Sequence, residues 1–308
     1  MKNPLGLYLF LAVFGAGWGL NSVLAKIAVS GGYAPFGLIF WQLVITSLIL
    51  GAICWRCGSW PKLGRAQLRM ALFVALIGTI VPNAASYRAA IDLPAGILAL
   101  LLSLVPICAF PLALVMGNEQ FSGRKFLGLS LGALAVALLV LPGEALPDAA
   151  MLALLPLAVI APICYGLEGN GVAKWGTGGL SPVELLFLAS MLGAAIALPL
   201  AIGTGQWISP APPYALPDLA LVASAMIHAL VYTGYVWLVG QAGAVFASQV
   251  AYLVTGFGIF WAMAILGESY ASSFWGAMAL MLLGVFFVQP RKQIPLVAAA
   301  PLRHTKGE

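Results

Sequence analysis

Charge is scarce in this sequence. Lys, Arg, Asp and Glu make up 7% of its 308 residues, against roughly a quarter in soluble domains. So thin a supply cannot cover a water-exposed surface. Histidine is rarer, with His228 and His304 alone, and the cysteines are Cys54, Cys57, Cys108 and Cys164. Nothing completes the Cys54-x-x-Cys57 spacing, so no metal or redox site is expected, and small residues on packed helices are the simpler reading. There is no HExxH, no GxSxG and no Asp pair inside an apolar run, which argues against an enzyme. No connecting segment is long enough for the soluble domain that a signalling or scaffold protein would bring.

Apolar residues, by contrast, fill 62% of the chain, and the mean hydropathy is +1.04. A bilayer core of about 30 Å needs about 20 apolar residues per helix, and runs of that length recur. They lie near 5–28, 35–56, 69–91, 95–116, 123–142, 151–175, 181–203, 217–240, 244–266 and 272–290. Helices are the expected structure, because unpaired backbone in lipid is too costly and runs this long are not barrel strands. The first run lacks a small-x-small cleavage site and is expected to remain as a span. Most connections are short and carry Gly, Pro or Asp, as in Asp92-Leu93-Pro94 and Gly178-Gly179-Leu180-Ser181-Pro182.

The basic residues fix an orientation. With the N-terminus in the cytoplasm, twelve of the 14 Lys and Arg fall on the cytoplasmic side, and only Lys26 and Arg88 fall outside. That bias supports ten crossings with both termini inside. It also explains the net charge of +5 without nucleic acid as a partner. The 291–308 segment is then a cytoplasmic polar tail.

The chain repeats itself. Trp18-Gly19-Leu20 returns as Tyr165-Gly166-Leu167, Ala25-Lys26 as Ala173-Lys174, Pro35 as Pro182, Tyr87 as Tyr235, Gly128 as Gly276 and Glu119 as Glu268. The near-constant offset divides the chain into five-helix repeats at 1–145 and 146–290. Five spans is an odd number, so the second copy is inverted in the bilayer, an arrangement typical of transporters.

Further residues carry a family likeness. The first half reads Ser103-Leu104-Val105-Pro106, Gly117-Asn118-Glu119, Gly128 and Gly132. The second reads Leu266-Gly267-Glu268, Trp275-Gly276 and Leu283-Gly284-Val285, and Trp18-Gly19 with Lys26 fits the same pattern. Over nearly its whole length the chain resembles the drug/metabolite transporter superfamily and, within it, the EamA family. More narrowly it is similar to YddG-type amino-acid exporters of bacteria. The resemblance implies an all-α integral membrane fold with ten transmembrane helices, as two inverted five-helix repeats around a central cavity. It also implies export, rather than import, of amino acids or similar metabolites across the inner membrane. No cofactor is expected; the partners are a small-molecule substrate and the lipid bilayer. Pro106 departs from strict symmetry, since Val254 and Thr255 stand at its place in the second half.

Candidate substrate-binding residues follow from the cost of polar groups at membrane depth. His228 lies near the middle of the eighth run, Tyr232 shares its face at i+4, and Tyr235 lies nearly there at i+7. Asn83 and Tyr87 are likewise i, i+4 on the third run, with Tyr87 the counterpart of Tyr235. Gln249 and Tyr252 add polar tips on the ninth. Trp18 with Asn21, Trp41 with Gln42, and Tyr165 extend the set, although Asn21 and Gln42 also suit interhelical hydrogen bonding. Lys26 and Lys174 fall at opposite mouths as gating or snorkelling charges, and Glu168 is expected to pair with Lys174 or a neighbour. Glu119 and Glu268 are expected to anchor loops, and Pro82, Pro106, Pro111, Pro156 and Pro162 to bend their helices. Gly15/Gly19 and Gly128/Gly132 permit close helix approach within the chain.

The alternative reading is a cationic-drug/proton antiporter. Small multidrug relatives carry a glutamate in the first span, where this chain has none; the nearest equivalent is Glu168 in the sixth. Phosphorylated-sugar exchange would need converging basic residues, and outside the loops only Lys26, Arg88 and Lys174 remain.

Overall fold

A computed structural model describes residues 4–140, 149–242 and 250–288. Among these residues the structure is all-helical, with no strand. The helices are α1 (Pro4–Ser30), α2 (Pro35–Arg56), α3 (Arg65–Asp92), α4 (Ala95–Met116), α5 (Gly123–Val140), α6 (Leu155–Trp175), α7 (Pro182–Gly203), α8 (Leu216–Ala242), α9 (Val250–Leu266) and α10 (Ser272–Val288). They begin within about a turn of the apolar runs that predict them, except that the expected start of the ninth run and the ends at 142 and 290 lie outside the described residues. Seven of them, α1 to α4 and α6 to α8, are long and apolar enough to cross a membrane.

Local signals set several boundaries. Proline opens α2 and α7, where a missing N–H costs nothing. Ser181 and Glu184 form a reciprocal capping box at α7. Gly117 ends α4 at φ 73°, a left-handed conformation that favours glycine.

Three prolines coincide with irregular helix. In α3 the turn Val74–Ile80 is π-helical, and Pro82 stands just beyond it. Pro82 has no N–H for the Gly78 carbonyl four residues back, and its ring crowds that carbonyl; the widened turn accommodates both. In α4 the helix breaks at Ser103-Leu104 and resumes with Pro106 in its first turn. A single turn, Ala149–Leu152, precedes α6, whose first turn holds Pro156. Pro111 and Pro162 sit inside continuous helix, as does Pro199 of α7.

The packing has a two-fold pattern. α1 lies against α8 and α9, and α6 lies against α3 and α4; α8 contacts α2 as α3 contacts α7. Exchanging each helix with the one five places on converts one set into the other. Of the other pairs, α2 with α7, α4 with α9 and α5 with α10 map onto themselves. Two family-like glycine sets make close approaches possible. A Cβ on Gly19 would stand 2.7 Å from the Gly258 backbone nitrogen, and one on Gly284 would stand 2.7 Å from the Gly128 carbonyl oxygen. The GxxxG pairs therefore serve packing inside the chain, α1 on α9 and α5 on α10. The main core draws on both halves, with Leu38, Ile39, Leu93, Ile97, Leu100, Phe274 and Met281 buried together.

Candidate functional site

A cavity of about 550 Å³ lies where the halves meet, lined by residues of α1 to α4 and α6 to α9. Its volume falls in the range of small-molecule sites. One wall is a hydrogen-bonded polar chain. Tyr165 Oη donates to Asn83 Oδ1 at 3.2 Å, Asn83 Nδ2 donates to Gln42 Oε1 at 3.3 Å, and Tyr87 Oη donates to the same oxygen at 2.5 Å. These bonds tie α6, α3 and α2 together.

Other lining residues are aromatic. His228 and Tyr232 stack with ring centroids 6.3 Å apart and planes at 24°, as their i, i+4 spacing on α8 allows. Tyr235, one turn on, packs on Trp18 of α1 at 5.3 Å. All four line the cavity. Three further lining atoms have no partner although buried: Asn21 Oδ1, Thr46 Oγ1 and Ser190 Oγ. A buried polar atom left unpaired costs roughly 1–3 kcal/mol. Three of them on one cavity mark a place where polar atoms of a ligand or water complete the bonding.

Glu168 also faces this space. It does not pair with Lys174, whose Nζ instead donates to the Met116 carbonyl at 2.7 Å. Among the described residues Glu168 makes no ion pair. Its carboxylate sits over Gly78 in the π-helical turn, where an added Cβ would lie 2.4 Å from Oε1. A charge at membrane depth costs roughly 3 kcal/mol on insertion scales, so an unpaired carboxylate here needs a reason. The repeat supplies a comparison: the offset of 147 that relates Trp18 to Tyr165 also relates Asn21 to Glu168. Both line the cavity, but one is neutral and the other acidic.

Other expected site residues lie elsewhere. Trp41 is not among the lining residues; its indole donates to the Ile208 carbonyl at 2.9 Å and packs on Phe40 and Trp207. Gln249 lies outside the described residues, and so does the side chain of Tyr252. Lining residues that no residue type or spacing picks out beforehand include Thr46, Thr79, Ser190 and Ser224. Short hydroxyls in apolar helices commonly bond their own backbone, as Thr233 does to Ala229, so type and spacing do not single them out. The repeat offset does single out Asn21 and Glu168.

Polar ties hold the two ends of the helix bundle. At one end Lys26 Nζ donates to the Ile91 and Leu93 carbonyls at 2.9 and 3.1 Å, joining α1 to the end of α3. Glu268 accepts from the Ala95 and Gly96 N–H groups that open α4, and Tyr270 Oη donates to it. Tyr33 Oη donates to Asp218 at the start of α8. Burial, then the bond to Asp218, push the Tyr33 hydroxyl up to about 12, so it remains a donor at neutral pH. At the other end Ser59 donates to Glu184, Gln67 to the Gly178 carbonyl, and Asn118 to Asn170; Lys125 pairs with Glu119 at 2.7 Å. α1 also approaches α3 and the first part of α4 closely, whereas among the described residues α6 makes no comparable approach to α8 or α9.

No metal-holding group of His, Cys, Asp or Glu occurs among the described residues. The four cysteines are free, with Cys54 buried and Cys57 exposed.

Comparison with known proteins gives a consistent result. The model of the EamA-like transporter family matches residues 5–141 and again residues 152–289. A solved structure, described only as the crystal structure of a protein, is similar in fold with a TM-score of 0.60. It covers 91% of this chain and 97% of its own at 17% identity. No curated protein matches the sequence.

Proposed function

The chain belongs to the EamA-like transporter family, a multi-pass membrane family that moves small molecules, and on that premise we propose that it exports amino acids or related small metabolites across a bacterial inner membrane by alternating access. Ten crossings, with both termini in the cytoplasm and two inverted five-helix repeats at 1–145 and 146–290, fit the twelve-to-two distribution of Lys and Arg. The two matches of the family model fall on these two segments.

The observation that carries the reading is the cavity at the junction of the halves, lined by a polar chain, by aromatic rings and by unpartnered Asn21, Thr46 and Ser190 atoms. An amphiphilic solute such as a free amino acid has surfaces for both kinds of lining. Outward direction rests on the likeness to YddG-type exporters. His228, Tyr232, Tyr235, Asn83, Tyr87, Trp18 and Tyr165 form the binding surface in this proposal.

A second reading, exchange of a cationic drug for protons, is favoured by the unpaired Glu168 carboxylate alone. Purified protein in liposomes separates the two. With a panel of threonine, methionine, aromatic amino acids and a quaternary cation, tested with and without a pH gradient, the amino acids are expected to move. Movement of the quaternary cation alone would overturn the exporter reading in favour of the second.

A further inference from the structure

The cavity is lined by one carboxylate and, among the described residues, by no Lys or Arg. Glu168 has no ion-pair partner there, and Gly78 leaves room for its carboxylate by having no side chain. Resting on the transport reading above, we propose that Glu168 recognises a primary ammonium group, and that the solute carried is an amine on an apolar or aromatic body. An ammonium brings three N–H donors and a positive charge. Charge-assisted bonds of this kind are roughly twice as strong as neutral ones, and the charge removes the reason an unpaired carboxylate is costly at this depth.

The rest of the cavity fits such a solute. Trp18, Tyr232 and Tyr235 line it with aromatic rings for an apolar body, and rings also attract a nearby cation. Asn21, at the place equivalent to Glu168 in the first repeat, has an unpartnered oxygen, and so do Thr46 and Ser190. These neutral groups meet whatever polar atoms the solute has besides its ammonium. The two repeats thus present unlike chemistry at equivalent places, which orients a solute with one cationic end. A solute whose only charge is negative finds no opposite charge in the lining and is repelled by Glu168, so carboxylates without an amine and phosphate esters are poor solutes.

Three probes of one skeleton test this: phenylalanine, phenethylamine, which lacks the carboxylate, and 3-phenylpropanoate, which lacks the amine. Binding is read as thermal stabilisation of the purified full chain in detergent, and movement as flux in liposomes. Phenethylamine and phenylalanine are expected to bind and move, with 3-phenylpropanoate at least about tenfold weaker. Glu168→Gln is expected to weaken both amines by about tenfold or more, and Glu168→Asp by less. Equal binding of the amine-free acid by the wild type, no stabilisation by any probe, or unchanged amine affinity in Glu168→Gln would overturn the inference. If Glu168→Gln fails to fold, the wild-type comparison of amine with acid and the Glu168→Asp affinity decide. Glu168-dependent amine binding without flux would leave the ammonium site standing and overturn the transport reading. Flux of a neutral solute, such as a nucleoside, while the amines neither bind nor compete would do the reverse.

Discussion

Gly78 acts through the side chain it lacks. The Glu168 carboxylate occupies the space where a methyl group would be, so Gly78→Ala is expected to displace that carboxylate and lower transport by about tenfold, the scale of one charge-assisted hydrogen bond, while the protein still elutes as a folded species. Wild-type flux in Gly78→Ala would mean that the seat of Glu168 is unimportant. Elsewhere on the lining, His228→Ala and Tyr232→Ala should each reduce flux without loss of folded protein, and unchanged flux in both would remove the aromatic residues from the binding surface. At this scale the sequence was partly legible. His228, Tyr232, Asn83 and Tyr87 draw attention because polar groups are rare and expensive in apolar helices, and all four line the cavity. Trp41 draws the same attention, but its indole N–H finds an acceptor in Ile208, a residue 167 positions away. No spacing within α2 reveals such a contact. Closeness along the helix suggests Lys174 or a neighbour as a partner for Glu168, whereas the lysine reaches the carbonyl that ends α4.

Helix positions are legible for a simple reason: an apolar run bounded by Gly, Pro and polar residues has one low-cost form in lipid. The irregularities inside helices are less so. Five prolines mark possible bends, yet only Pro82, Pro106 and Pro156 lie at interruptions, while Pro111 and Pro162 sit in continuous helix. A proline's effect depends on how neighbouring groups satisfy the carbonyl it frees, and that is a property of packing. Glycine pairs are clearer once the partner helix is known. Gly19 lies against the Gly258 backbone nitrogen at a distance that admits no Cβ, so Gly19→Val should force α1 away from α9. The expected result is a lower melting temperature and less folded protein after extraction. Gly276→Val offers a control, since nothing lies within 4 Å of the place its Cβ would take; equal losses in both variants would show that the α1–α9 approach is not what Gly19 protects.

Across the whole molecule, the duplication read from matched residues reappears as helix pairs that exchange when each helix is moved five places on. What the repeat could not foretell is where the copies differ. Lys26 and Lys174 are equivalents in sequence, but Lys26 reaches from α1 to the end of α3, while Lys174 reaches from α6 to the end of α4. Lys26→Met should therefore loosen one end of the bundle. Spin labels at Ser30→Cys and Ile91→Cys in a background without native cysteines are expected to give a longer, broader distance distribution in that variant; an unchanged distribution would show that the tie bears no load. The unequal use of the two lysines has a consequence of its own. The bond made by Lys26 stays within the first repeat, whereas the bond made by Lys174 crosses from the second repeat to the first. One lysine is thus an internal brace and the other a rivet between the copies.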